Sequence, residues 1–240
     1  MKEEIIRVEH LYKDYLMAGG SLVQSVLKDI TLTVSGGDFV SIMGQSGSGK
    51  STFMNILGCL DHPTSGNYYL NGKNVAKLAK DELAEIRNRY IGFVFQSFNL
   101  MPRRTIFDNV SMPLIYANCS YRERRERTEG LLKTVGLENY MEYYPTQLSG
   151  GMQQRVAIAR ALINSPTVVF ADEPTGNLDV KTSVEIMNIF NELNGKMGIN
   201  IVMVTHEPEI AKYSKRLVRI RDGAKECDCS IEEAIAGNIL

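Results

Sequence analysis

The sequence predicts an α/β fold built on a parallel sheet. Two stretches, Val168 to Ala171 and Ile201 to Val204, are continuously apolar, as parallel strands buried on both faces are. A helical pattern around Ser183 to Leu193 lies between them, which gives a β-α-β order. An apolar strand at Phe39 to Met43 runs into a glycine-rich loop, and a helical pattern starts at Lys50. This alternation favours right-handed crossovers within one sheet.

The first third of the chain contains strands of a different kind. Ile30, Leu32 and Val34 alternate with polar residues, which is typical of a strand buried on one face only. Tyr68 to Leu70 reads as another strand, and it leads into Asn71-Gly72, a strong hairpin signal. Antiparallel pairing is therefore expected in this region.

The middle of the chain, from about residue 98 to residue 164, changes to a helical pattern. It includes a dense run of mixed charge, in which Glu123 and Arg127 are four residues apart. This spacing favours a solvated helix face over a basic binding patch. Later in the chain, Asp222-Gly223 predicts a turn. The pattern of residues 227–240 fits either a short docking helix or a loose end.

Composition limits the classes of function. The chain of 240 residues has 27 Lys and Arg against 28 Asp and Glu, a net charge of -1, and we expect no nucleic-acid partner. Its four cysteines, Cys59, Cys119, Cys227 and Cys229, are expected to be reduced thiols. No signal-peptide pattern or apolar run of about 20 residues is present, so no direct membrane span is expected.

The strongest motif is the loop Gly44 to Ser51, which matches the phosphate-loop pattern G-x-x-x-x-G-K-[ST] at every specified position. Glycines let such a loop curl so that its N–H groups point at phosphate oxygens, and the following helix adds its positive dipole end. We expect Lys50 to neutralise the β- and γ-phosphates of ATP and the Ser51 hydroxyl to ligate Mg²⁺. The residues of this loop expected to bind ATP are Gly44, Gln45, Ser46, Gly47, Ser48, Gly49, Lys50, Ser51 and Thr52.

An acidic pair follows the buried strand at 168–171. Asp172 falls at the carboxyl end of that strand, where ligands bind in open α/β sheets, and we expect it to hold the metal. Glu173 is the next residue, and its expected role is to orient or deprotonate the attacking water. The alternative for Glu173 is an ordinary surface carboxylate after a strand.

A second motif identifies a family. Leu148 to Arg155, LSGGMQQR, resembles the LSGGQ-type signature of ABC (ATP-binding cassette) ATPases and lies between the phosphate loop and the acidic pair, as in that family. Met152 stands where the literal motif has glutamine, a side chain not expected to carry the chemistry. Gln96, the segment Gly176 to Asp179, and His206 resemble the family's Q-loop glutamine, D-loop and switch histidine.

The resemblance assigns roles to single residues. Tyr15 resembles the aromatic residue that stacks on adenine, and Tyr12 is its close competitor. The implied catalytic residues are Lys50, Gln96, Glu173 and His206, and the implied metal ligands are Ser51, Gln96 and Asp172. The residues implied to reach ATP bound to a second copy are Ser149, Gly150, Gly151, Gln153 and Asp179.

The resemblance covers essentially the whole chain. It implies a P-loop NTPase (RecA-like) core with an N-terminal antiparallel β subdomain and an inserted α-helical signature subdomain. A single ABC ATPase domain, 1–240, would comprise the core with the β subdomain at 1–97 and 165–240 and the helical subdomain at 98–164. Two copies are expected to pack head to tail around two ATP molecules and form a homodimer in the ATP-bound state.

Several phrases of sequence look like the MacB/LolD/FtsE group, whose ATPases drive a separate membrane permease. They lie at 42–44, 93–96, 171–179 and 204–208. The resemblance implies a cytoplasmic protein, peripheral on the inner face of the cell membrane, and favours MacB-type efflux. The alternatives are cell-wall control or lipoprotein release of the FtsE or LolD kind, and a soluble assembly ATPase of the ABC class. A DNA-repair ABC ATPase is disfavoured, because no sustained heptads separate the two motifs.

Overall fold

The structure, a computed structural model, describes residues 3–16 and 23–240. The strands are β1 (Glu4–Leu16), β2 (Val23–Ser35), β3 (Phe39–Met43), β4 (Ser65–Leu70), β5 (Lys73–Asn74), β6 (Ile91–Phe95), β7 (Val168–Asp172), β8 (Asn200–Val204), β9 (Arg216–Arg221) and β10 (Ala224–Ser230). The helices are α1 (Lys50–Leu57), α2 (Lys80–Tyr90), α3 (Ile106–Tyr116), α4 (Tyr121–Thr134), α5 (Gly150–Leu162), α6 (Val180–Met197), α7 (Pro208–Ala211) and α8 (Ile231–Ala236). The strands form one sheet of order β2-β1-β4-β5 and one of order β10-β9-β3-β8-β7-β6.

The six-stranded sheet is parallel at its centre. β9, β3, β8, β7 and β6 run parallel to their neighbours, and only β10 is antiparallel. Every residue of β3 and β8 and residues 168–171 of β7 are buried, because helices cover both faces, and this confirms the interpretation of the two continuously apolar stretches. The carboxyl ends of β3, β7 and β8 meet at one edge of the sheet, which is where such folds bind ligands.

The four-stranded sheet is antiparallel, as predicted for the first third of the chain. β1 pairs with β2 on one side and with β4 on the other, and β5 folds back on β4. Ile30, Leu32 and Val34 are buried while the residues between them are more exposed. The predicted hairpin at Asn71-Gly72 is confirmed, since these residues join β4 to β5.

Helices α3, α4 and α5 occupy the middle of the chain, where a helical region is predicted. Thr105 and Ser120 cap α3 and α4 by accepting the backbone N–H three residues on. Leu114, Leu132 and Val156 are fully buried in one shared core, and each contributes about 1.5–3 kcal/mol of burial free energy. The Glu123–Arg127 pair lies on the exposed side of α4 at 3.0 Å, as expected. The subdomain boundaries at 97/98 and 164/165 stay a prediction.

Helix α2 is an element that the sequence did not predict. Only Leu83 and Ile86 of its residues are buried, so its apolar stripe is too narrow to produce a clear periodic pattern. Its N-terminus is closed by the Glu82 carboxylate, which accepts from the Ala79 N–H at 2.9 Å. Within the described ranges no helix combines the length and apolar character needed to cross a membrane.

The end of the chain joins the two sheets. The turn at Asp222-Gly223 is confirmed between β9 and β10. The Lys28 N–H donates to the Gly223 carbonyl at 2.8 Å, and the Gly223 N–H donates to the Ser48 carbonyl at 3.1 Å. Arg216 adds a second link, because its guanidinium binds Asp228 at 2.6 and 2.8 Å and the Thr33 carbonyl at 2.7 Å. The stretch 227–240 is therefore a strand followed by the short helix α8, not a loose end.

Candidate active site

The phosphate loop spans the gap between β3 and α1 and is closed on one side by β2. Gly49 has φ of 101°, and a Cβ there would lie 2.9 Å from the Val26 carbonyl oxygen, so no other residue fits without displacing β2. The Lys50 side chain is buried, and its ammonium donates to the carbonyls of Gly44 and Gln45 at 2.8 Å each. The loop therefore holds the Lys50 cation against two of its own backbone carbonyls.

The start of α1 fits an anionic ligand. Among the described residues no side chain caps this helix, so its first N–H groups lack a side-chain acceptor. The Ser48 hydroxyl is buried and has no partner in the described part of the chain. Burial lowers the pKa of Lys50, while the charges of Glu173 and Asp172 oppose that shift. Unpaired donors and a helix dipole converging on one point are what a phosphate group requires.

A cavity of about 640 Å³ opens in front of this loop. It collects most residues that the sequence assigns to ATP, metal and catalysis. Its lining includes Gln24, Ser46, Gly47, Gly49, Lys50, Ser51, Thr52, Gln96, Asp172, Glu173 and His206. Residues from β2, the phosphate loop, and the ends of β6, β7 and β8 thus meet at one place.

The acidic pair lies across the cavity from Lys50. Asp172 ends β7, and burial and the charge of Glu173 raise its pKa, whereas Lys50 lowers it. Such an environment disfavours a lone carboxylate, so the donor set of Asp172 with the Ser51 hydroxyl fits a hard divalent cation. Glu173 has φ of 47°, and its N–H donates to the Val204 carbonyl at 2.9 Å. This unusual backbone turns the Glu173 side chain into the cavity.

His206 is paired with Glu173. The Nδ1 atom of His206 lies 2.8 Å from Oε1 and 2.7 Å from Oε2 of Glu173. This hydrogen bond and the carboxylate charge raise the pKa of His206 above its ordinary value of 6.5. The contact places these two residues, both of which the resemblance implies to be catalytic, within one hydrogen bond of each other.

Gln96 is held by a residue that the sequence did not single out alone. The Gln96 Nε2 donates to Asn177 Oδ1 at 3.3 Å, and Asn177 Nδ2 donates to the Gln96 carbonyl at 3.0 Å. The Gln96 side chain borders the cavity that contains Asp172. Its assignment as a metal ligand stays a prediction.

The signature residues do not line this cavity. Ser149 is the N-cap of α5, where its hydroxyl accepts from the Met152 N–H at 3.4 Å, and Asp179 is the N-cap of α6. Gly150 and Gly151 form the first turn of α5, and Gln153 donates to the Leu148 carbonyl. One chain therefore does not bring Ser149, Gly150, Gly151, Gln153 and Asp179 to the phosphate loop.

Tyr15 lies beside the cavity. It pairs with Gln24 on β2, which lines the cavity, whereas Tyr12 pairs with Ser65 on the opposite side of β1. The Tyr15 hydroxyl donates to Asp61 at 2.8 Å. Burial and the Asp61 hydrogen bond raise the pKa of Tyr15.

Lys13 and Asp61, which contact Tyr15, were not predicted from the sequence. The Lys13 ammonium lies 4.7 Å from the Tyr15 ring centroid and 2.8 Å from Asp61. Lys13 and Asp61 are far apart in the chain, and no spacing pattern links a lone Lys to a lone Asp. Only the fold reveals that they meet.

Comparisons with known proteins show the family. Residues 27–176 match the protein family described as ABC transporter. The chain is 53% identical over 93% of its length to a macrolide export ATP-binding/permease protein MacB of Syntrophobacter fumaroxidans, of which it spans only 31%. It is 51% identical to the uncharacterized ABC transporter ATP-binding protein YknY of Bacillus subtilis, over 91% of this chain and 94% of YknY.

Solved structures show the same fold. The dimeric ATP-binding cassette MJ0796, bound to ADP and Pi in a post-hydrolysis state, aligns with a TM-score of 0.86 at 44% identity, over 95% of this chain and 99% of that one. CbiO1 of Clostridium perfringens, part of the ABC transporter complex CbiONQ, aligns with a TM-score of 0.86 at 28% identity, over 99% and 92% of the two chains.

Proposed function

The chain belongs to the ABC transporter family and is an ABC-type ATPase; from this premise we propose that it powers a separate membrane permease. The observation that carries the proposal is the meeting of Lys50, Asp172, Glu173 and His206 around one cavity in front of the phosphate loop. A membrane location follows only through the permease. The protein would then be cytoplasmic and peripheral on the inner face of the cell membrane.

Each residue of the cavity has a task in ATP hydrolysis. The loop N–H groups and Lys50 bind the phosphates and offset their charge. Ser51 and Asp172, with Gln96 beside them, would hold Mg²⁺, which would supply positive charge to offset the charge that develops on the phosphate during hydrolysis. Glu173 accepts a proton from the attacking water at a carboxylate oxygen. His206 holds that carboxylate in place at 2.7–2.8 Å.

The site is completed by a second copy of the chain. The N-terminus of α5 offers free N–H groups and a positive dipole end, and its residues do not line the cavity in front of its own phosphate loop. Next to it, the apolar side chains of Val180 and Val184 are 83% and 41% exposed. Adjacent exposed apolar side chains are typical of a protein–protein interaction site. A head-to-tail homodimer would bury them and bring Ser149 of one copy to ATP held by Lys50 of the other. The relative MJ0796 is described as dimeric.

The permease would dock at a second cavity. A cavity of about 730 Å³ lies between α2, β6 and α3, and its lining is largely apolar, including Leu60, Phe93, Met112, Pro113 and Tyr116. Tyr116 is 72% exposed, which is unusual for a ring of that size. A short amphipathic segment of a permease fits a groove of this kind.

The comparisons favour export of the MacB type as the transport function. The chain spans about a third of the curated MacB relatives, whose names join an ATP-binding part to a permease. It spans nearly all of YknY, in which the ATP-binding protein stands alone. We propose that this chain corresponds to the ATP-binding part and that a separate chain supplies the permease for macrolide-like cargo.

Two measurements test the proposal. The purified protein is expected to hydrolyse MgATP at a rate per chain that rises with protein concentration, because each site needs two copies. A rate per chain independent of concentration would contradict the composite site.

Affinity purification from native membranes should recover a permease with a large extracytoplasmic domain, and recovery of soluble partners alone would favour an assembly ATPase.

A further inference from the structure

We propose that Gln154 is a positioning residue that ties the signature helix to the two loops carrying Gln96 and Glu173. The inference rests on the proposed function, since it concerns how the ATPase machinery is held. Gln154 does not line the cavity in front of the phosphate loop, so it acts through other residues and does not touch the nucleotide.

One carboxamide joins three segments. Gln154 lies on α5 and its side chain is fully buried. Its Nε2 donates to the Phe95 carbonyl at 3.4 Å and, by a short bond, to the Pro174 carbonyl. Phe95 is followed by Gln96, and Pro174 follows Glu173. The signature helix therefore holds the backbone next to Gln96 and next to Glu173, two of the predicted catalytic residues.

The orientation of this amide follows from its surroundings. Both neighbouring groups are carbonyl oxygens, so a reversed amide would place its own oxygen against them. In the observed orientation Oε1 is buried without a partner in the described part of the chain. An unpaired buried acceptor costs stability. The side chain is thus held for its two N–H donors, which an apolar residue of the same size would lack.

A second side chain of α5 holds the far end of the same loop. Arg160 donates to the carbonyls of Phe98 and Asn99 at 2.9 and 2.6 Å. Phe98 and Asn99 both have positive φ, 58° and 50°, a conformation that needs support from outside. The loop from Phe95 to Asn99 is therefore anchored to α5 at both ends. Any displacement of the signature helix must carry Gln96 with it.

The test compares steady-state kinetics of full-length variants. Gln154→Met keeps the length of the side chain and removes both donors. We expect unchanged ATP affinity and a kcat lower by roughly 10- to 100-fold, since small misplacements of catalytic groups have effects of that size. Gln154→Asn keeps the donors on a shorter stem, and we expect a kcat between those of the wild type and Gln154→Met.

A matched control exists on α6. Asn194 is also a buried carboxamide, and it donates to the carbonyls of Gly37, Asp38 and Ile199, away from the cavity. Asn194→Leu should lower the melting temperature and leave kcat unchanged. If Gln154→Met behaves like Asn194→Leu, the role of Gln154 is structural and the inference is wrong. If the Met variant does not fold, a wild-type kcat in Gln154→Asn would overturn it equally. A wild type without ATPase activity would overturn the proposed function as well.

Discussion

Two helix N-termini are proposed to bind phosphate, those of α1 and α5, and they differ in how they are enclosed. The start of α1 lies at the bottom of a cavity, where Lys50 is buried and β2 closes the loop. The start of α5 lies on the surface, where Ser149 is exposed and does not line the cavity in front of the phosphate loop. The same local chemistry serves as a complete pocket in one case and as half of a pocket in the other. Affinity should therefore depend on the first region and turnover on both.

The largest effect should come from Glu173→Gln, which removes the proton acceptor and keeps the size of the side chain. We expect ATP to bind normally and hydrolysis to slow by about 100-fold or more, the usual contribution of a general base. Single-turnover assays give the rate, and size-exclusion chromatography should show an ATP-bound dimer accumulating. Near-normal turnover would remove Glu173 from its proposed role.

Lys50→Ala and Ser149→Ala should separate the two regions. The Lys50 variant loses a charged donor worth about 1.5–3 kcal/mol, so titration calorimetry should show ATP affinity falling by roughly 10- to 100-fold. Ser149→Ala should keep wild-type affinity in the single chain and lose turnover. Equal affinities for the two variants would remove the distinction between a complete pocket and a half pocket.

Mixing those two variants sharpens the same comparison. Each mixed dimer would contain one site with intact Lys50 and an intact Ser149 across from it. Random association should restore about a quarter of the wild-type sites. Activity of the mixture no higher than that of either variant alone would argue against a head-to-tail arrangement.

A smaller effect is expected at the adenine end of the cavity. Tyr15→Ala should weaken ATP binding by a factor that corresponds to about 1–3 kcal/mol of base stacking, while inorganic triphosphate binds as before. Tyr12→Ala is the matched control, because Tyr12 pairs with Ser65 and not with Gln24. The reverse result, with Tyr12 mattering and Tyr15 not, would exchange the assignment.

The smallest effect concerns pH in the nucleotide-free protein. The pKa of His206 is raised above 6.5 by Glu173, so the pair stabilises the fold fully below that value and loses its contribution as pH rises through the folded pKa. NMR titration should find a resonance with a raised pKa that is assigned to His206 by its disappearance in His206→Gln. A normal pKa for His206 would show that the pair does not persist in solution.

Continuous patterns predicted the fold, and isolated residues escaped prediction. The buried strands β3, β7 and β8 were clear because four of the five residues in each are apolar, and the phosphate loop was clear because its spacing is strict. Helix α2 was missed because only two of its residues face the core. Hydrophobic periodicity predicts a helix that has a wide apolar face, but it does not detect a helix whose apolar face is narrow.

The site divides in the same way. Motif residues such as Lys50, Asp172 and Glu173 could be placed from the sequence, since the chemistry requires them at fixed positions. The residues that support the site could not be placed from the sequence. Asp61, Asn177 and Gln154 make their hydrogen bonds to segments that are distant in the chain. A hydrogen bond across the fold leaves no periodic trace in the sequence.

The turn between β9 and β10 affects how variants of this protein should be classified. Gly223 donates to the Ser48 carbonyl, accepts from the Lys28 N–H, and has φ of 83°, and a Cβ there would lie 2.4 Å from the Val26 carbonyl oxygen. Any side chain at Gly223 would push apart β2 and the phosphate loop. A mutational scan sorted by phenotype would therefore group Gly223 with the nucleotide-binding residues, although it lies outside the matched family segment 27–176. A diagnostic screen limited to the recognised motifs would overlook it.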